Sequence, residues 1–139
     1  MGQQLTRRDD WLARLSAAIA AAEGRPFAWG KHDCCTFAAA CVEAMIGRHP
    51  FPDMQGAYRT RREADAFLRK HGGLDALVDG LFAPCPPLLA RRGDLATLPT
   101  ARGPALGVVD TYGQHVIAAA QKGVLHQPLH AALKAWRVG

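Results

Sequence analysis

Apolar residues recur at helical spacing near the start of the chain, where Trp11, Leu12, Leu15, Ala18, Ile19 and Ala22 share one side of a helix. Thr6-Arg7-Arg8-Asp9 just before them reads as a capping box. Gly24 to Asp33 is punctuated by Gly and Pro and is expected to be loop. A second helix is predicted from about Cys34 to Ile46, with Asp33 as N-cap and Gly47 as its stop. Thr60-Arg61-Arg62-Glu63 is another capping box, leading a helix through Phe67 and Leu68 to Gly72-Gly73, with a further helical turn or two over Leu74 to Phe82. Pro84-Cys85-Pro86-Pro87 is expected to end all helical structure.

Beyond those prolines the pattern changes to short apolar runs: Asp94 to Leu98, Ala105 to Asp110, His115 to Ala120 and Val124 to Gln127. Tyr112-Gly113-Gln114 and Gln121-Lys122-Gly123 are hairpin-length connections, so consecutive strands are expected to pair antiparallel. The class is α+β, with N-terminal helices packed on a small antiparallel meander and the helix that starts at Cys34 lying on its open face. A chain of 139 residues suits one domain spanning 1–139, and no internal repeat or low-complexity tract is visible.

Composition narrows the classes further. Hydrophobic residues make up 49% and charged residues 21%, and no apolar run approaches the roughly 20 residues of a membrane span, so a soluble protein is expected. The net charge of +5 comes from pairs such as Arg7-Arg8, Arg59 to Arg62 and Arg91-Arg92, which read as scattered solvated surface rather than as a nucleic-acid site. The Arg7-Arg8 pair is not a twin-arginine export signal, because Asp9 and Asp10 follow and no uncharged apolar stretch comes after them. Four cysteines, two of them adjacent, do not make a secreted disulfide framework, and reduced thiols are expected.

The candidate chemistry centres on Cys34. Placed at the first turn of a helix behind Asp33, its thiol would meet backbone N–H groups that favour the thiolate. The competing reading is inert packing, since Cys34, Phe37, Ala38, Cys41 and Met45 form the stripe of a buried helix face. Cys35 lies beside Ala39, Val42 and Ile46 and could also be core-facing, or could trap an oxidised Cys34. A zinc site from His32, Cys34, Cys35 and Cys85 would have spacing unlike the common paired-ligand motifs, and neither metal nor cofactor is expected.

Pro26-Phe27-Ala28-Trp29-Gly30, Asp33-Cys34 opening a helix, Arg92-Gly93-Asp94-Leu95 and Leu106-Gly107-Val108-Val109 resemble, in order and spacing, the motifs of NlpC-type cell-wall cysteine peptidases of the papain-like class. The resemblance covers roughly residues 15 to 130 and implies a papain-like fold. It also implies hydrolysis of peptidoglycan stem peptides by a cysteine, a histidine base and a third polar residue. The Cys34-Cys35 pair and the closing Ala135-Trp136-Arg137-Val138 are similar to a short variant found among phage and prophage tail proteins.

Carried over residue by residue, the resemblance puts Asp33 and Cys34 on the family's aspartate and nucleophile. Cys35 stands where a serine is usual. The base maps onto Ala105 and the third position onto Ala118, both apolar. Loss of general acid–base help typically costs about 100-fold to 10,000-fold in rate. His32, His115 and His126 are the substitute bases to consider, against their ordinary reading as surface or loop histidines. If Ala118 faces the cysteine, strand parity turns His115 away. Trp29 is expected to cover one end of the core, Gly30 to allow a tight loop, and Asp94 to cap or pair at the start of the first strand.

The leading expectation is thus a phage tail-tip structural or assembly protein on a degenerate, inactive NlpC-type domain. It would be made in the host cytoplasm and carried in the virion, and its partners would be other tail-tip or hub proteins and peptidoglycan. The alternative is an active cysteine endopeptidase or amidase that uses Cys34 on stem peptides. A thiol-redox or metal module built on Cys34-Cys35 is a third class.

Overall fold

The computed structural model describes residues 5–139, so the first four positions of the expected 1–139 span lie outside the described residues. Helices come first: α1 (Trp11–Ala22), α2 (Cys34–Ile46), α3 (Arg61–Lys70) and α4 (Leu74–Asp79). Six strands follow, β1 (Pro84–Cys85), β2 (Leu95–Leu98), β3 (Ala105–Val109), β4 (His115–Ala119), β5 (Val124–Pro128) and β6 (Ala135–Trp136). They form one antiparallel sheet in the order β1-β6-β2-β3-β4-β5. The expected α+β class and the β2 to β5 meander are present. No helix among the described residues is long and apolar enough to cross a membrane.

Helix α2 lies between α1 and the sheet, and this position explains its composition. Cys35, Phe37, Ala38, Ala39, Cys41, Val42 and Met45 are all buried, so the apolar surface wraps most of the helix rather than forming one stripe. Small residues let Leu15 and Ile19 of α1 pack on one side and Leu106, Val108 and Ile117 of the sheet on the other. The helix ends at Gly47, which takes φ +89° and returns its N–H to the Glu43 carbonyl at 2.8 Å.

Thr6 to Asp9 does not cap α1: the N-cap is Asp10, which makes no side-chain capping bond. Helical structure does not stop at the prolines, because Pro87–Leu89 and Leu129–Ala131 form short 3-10 turns. The two-residue strands β1 and β6 carry no periodic signal and were not anticipated; they pair at Pro84 with Trp136 and at Cys85 with Ala135. The arginines are not all solvated. Arg7, Arg91, Arg92 and Arg137 gather around Trp11 and Tyr112 in one hollow, and the Arg7 guanidinium stands 4.2 Å from the Trp11 ring centroid.

Asp94 takes the pairing role expected of it and serves three segments. Its buried carboxylate accepts from Arg7 Nη2 at 3.0 Å, from Val138 N at 3.0 Å and from Arg91 N at 2.8 Å. Arg7 in turn donates to the carbonyls of Val138 at 2.6 Å and Arg92 at 2.8 Å. The N-terminal segment, the start of β2 and the C-terminus are thereby fastened at one place.

Candidate functional site

The site is built around the start of α2. Asp33 sits in extended backbone and accepts from Thr36 N at 3.0 Å, while Thr36 Oγ1 accepts from Asp33 N at 2.7 Å, a complete capping box. The same carboxylate accepts from Gly30 N at 2.8 Å and from the Tyr58 hydroxyl at 3.1 Å. Gly30 takes φ +80°, and a side chain there would run into the Tyr58 carbonyl. Burial, then the neighbouring Asp33 charge, pushes the Tyr58 hydroxyl well above its ordinary pKa, so it stays a donor.

The loop before the cap is fastened to the sheet. Phe27 N donates to the Gln121 carbonyl at 3.1 Å and Gly123 N to the Arg25 carbonyl at 2.6 Å. His32 is buried, and its Nε2 donates to the Gly123 carbonyl at 2.8 Å. It joins the loop to the β4–β5 turn, a role that occupies the ring nitrogen with a backbone acceptor. Trp29 is half-buried and meets Phe27 edge to face at 4.8 Å, closing one end of the core as expected.

Cys34 is half-buried and opens into a cavity of about 510 Å³. Phe27, Trp29, Met54, Tyr58 and Phe67 form much of its wall, Ala105, Ala119 and Ala120 close the sheet side, and Arg61, Asp65 and Arg102 carry charge. No histidine is among the described residues that line it. Ala105, the position mapped onto the family base, does share this cavity with Cys34.

Ala118 does not. It packs with Ala96, Leu98, Val109 and Val116 in a smaller cluster, whereas Ile117 and Ala119 belong to the cluster around α2. The parity expected for β4 is therefore reversed. His115 shares the face of Ile117 and Ala119, but it stands at the opposite end of the strand from Ala119, about 13 Å away along it. There its Nδ1 lies 3.6 Å from Asp110 Oδ2. His126 pairs with Ile117 across β4 and β5, is exposed, and has its ring 6.5 Å from that of His115. Cys34 and Asp33 are thus brought together, while His32, His115 and His126 are each placed elsewhere.

The two adjacent thiols divide their acidity. A hydrogen bond from the Cys35 thiol, with the sulfurs 4.0 Å apart, lowers the Cys34 pKa despite its burial, helped by the backbone N–H groups of Leu106 and Cys35. Cys35 moves the other way, because it donates that bond and is buried. Burial pushes Cys41 and Cys85 up. We expect Cys34 to be alkylated by iodoacetamide with a pH midpoint below the ordinary thiol value and Cys85 with one above it. Superposed profiles from residue-resolved mass spectrometry would contradict the assignment.

Metal binding fits this arrangement poorly. Ligand atoms of Asp33, Cys34 and Cys35 lie within 4.8 Å of one another. Yet the Asp33 carboxylate already accepts three donors, whose N–H and O–H groups point where a cation would sit. Cys85 lies on β1, at the far edge of the sheet order from β5, and His32 is bound to Gly123. Tyr58, Phe67 and Arg102 were missed from the sequence. Tyr58 is 25 residues from Asp33, and no spacing rule links them.

Residues 6–138 match the model of a family described as "Domain of unknown function (DUF6950)". No curated protein matches the sequence. Among solved structures, the chain is similar to the NlpC/p60 domain of the peptidoglycan hydrolase SagA, at 18% identity and a TM-score of 0.58, over 90% of this chain and 97% of that one. At this identity the likeness concerns the fold, which is papain-like and of the NlpC/p60 type.

Proposed function

The chain belongs to the DUF6950 family and has an NlpC/p60-type fold, and from that premise we propose that it is a non-hydrolytic member of this fold class, incorporated as one domain in a phage tail tip. The observation that carries the non-hydrolytic part is the lining of the Cys34 cavity, whose sheet side is closed by Ala105, Ala119 and Ala120 and which has no histidine among the described residues that line it. A cysteine peptidase needs a paired imidazole to protonate the leaving amine. The tail-tip part rests on the resemblance of Cys34-Cys35 and Ala135-Trp136-Arg137-Val138 to phage tail proteins, and its partners would be tail-tip or hub proteins.

Incubation of the protein at high concentration with a peptidoglycan stem peptide is expected to yield no cleavage product. Turnover that disappears in Cys34→Ala would overturn the proposal and favour the endopeptidase reading, whose support is the lowered pKa of the Cys34 thiol at the mouth of the cavity. For the assembly role, mass spectrometry of purified tails is expected to find this chain in fixed ratio to tail-tip proteins. Its absence from intact particles would exclude that role.

A further inference from the structure

The Cys34 cavity has a size and lining that the absence of hydrolysis leaves unused. Its volume of about 510 Å³ lies within the roughly 300–1,000 Å³ of small-molecule sites. Phe27, Trp29, Met54 and Phe67 give it an apolar wall, and the thiol of Cys34 opens into it. The Cys35 sulfur lies 4.0 Å from that of Cys34, and Cys34 is the first residue of the capped helix α2. An amine must be protonated before it can leave an acyl centre, and none of the described residues lining this cavity carries an imidazole to do so. A thiolate leaves with its electron pair and needs no such donor. The missing base therefore changes the class of substrate open to Cys34 rather than ending its nucleophilic chemistry.

We infer that the cavity receives the acyl chain of a thioester and that Cys34 accepts the acyl group. The Cys34 thiolate adds to the thioester carbonyl carbon, the carbon–sulfur bond to the carrier breaks, and the carrier leaves as a thiolate that takes a proton from water. Cys34 becomes an S-acyl thioester with no change of oxidation state. Its persistence rests on the non-hydrolytic reading, because water needs a base to attack it.

The test is to incubate the whole chain with the octanoyl or acetyl thioester of N-acetylcysteamine. Intact mass, peptide mapping and released thiol are then followed. The expected result is one hydroxylamine-sensitive octanoyl group on Cys34, formed about tenfold or more faster than on Cys85 and about tenfold faster than the acetyl adduct. Cys34→Ala, with an unchanged circular dichroism spectrum, is expected to lose it. Equal labelling of Cys34 and Cys85, or no preference for the longer chain, overturns the inference. Continuous thiol release without an adduct overturns the non-hydrolytic reading and keeps Cys34 as acceptor where the release is lost in Cys34→Ala; release that persists in Cys34→Ala overturns the inference. No adduct together with no stem-peptide cleavage overturns the acceptor and keeps the non-hydrolytic reading.

Discussion

Asp94→Ala is expected to lower the unfolding free energy by about 3–5 kcal/mol, the range for removing one partner of a buried charge pair. The variant strips the acceptor from Arg7 Nη2, Val138 N and Arg91 N together. It also leaves the Arg7 guanidinium, whose pKa burial already lowers, without its neutralising carboxylate. Urea denaturation of the wild type and variant measures the loss. A double-mutant cycle with Arg7→Met isolates the pair, with a coupling of about 0.5–3 kcal/mol expected for groups in direct contact. A loss under about 1 kcal/mol, as for an exposed ion pair, would show that the three segments meet without needing this carboxylate.

The second large effect is expected at Asp33. Asp33→Ala removes the N-cap of α2, about 0.5–2 kcal/mol. It also strands the Gly30 N–H and the buried Tyr58 hydroxyl, at about 1–3 kcal/mol for each group left unsatisfied. Asn preserves capping but turns an amide NH₂ toward either Gly30 N or the Thr36 and Tyr58 donors, so Asp33→Asn is expected to lose less than Asp33→Ala. Denaturant midpoints for the two variants test the order. Equal losses would mean that the negative charge, not acceptor geometry, holds the loop. Because Cys34 is the first residue of the capped helix, its alkylation rate in each variant reports whether the thiol depends on the same cap.

Much of the fold was legible because local rules govern it. Asp33 and Gly47 bound α2 through cap geometry, Thr60 and Glu63 open α3 with Thr60 Oγ1 accepting from Glu63 N at 3.1 Å, and the meander follows from short turns. Local rules failed where residues act across distance. Thr6 lost its capping role because Arg7 is drawn to Asp94 and Val138, and no local periodicity could disclose strands as short as β1 and β6. On β4 the alternation of Val116, Ile117, Ala118 and Ala119 is apolar on both faces, so the pattern could not say which face meets α2.

By itself, the sequence determined that a thiol stands at a capped helix start, because capping is a local property; alanine at position 105 stands where the resemblance would put a base. Only the tertiary structure decided what surrounds that thiol. It brought Tyr58 to Asp33, turned His32 to the Gly123 carbonyl and set His115 at the far end of β4 from Ala119. It also enclosed Cys34 in a cavity walled by Phe27, Trp29 and Phe67. Those outcomes depend on sheet register and long-range packing, in which a shift of one residue reverses every side chain on a strand.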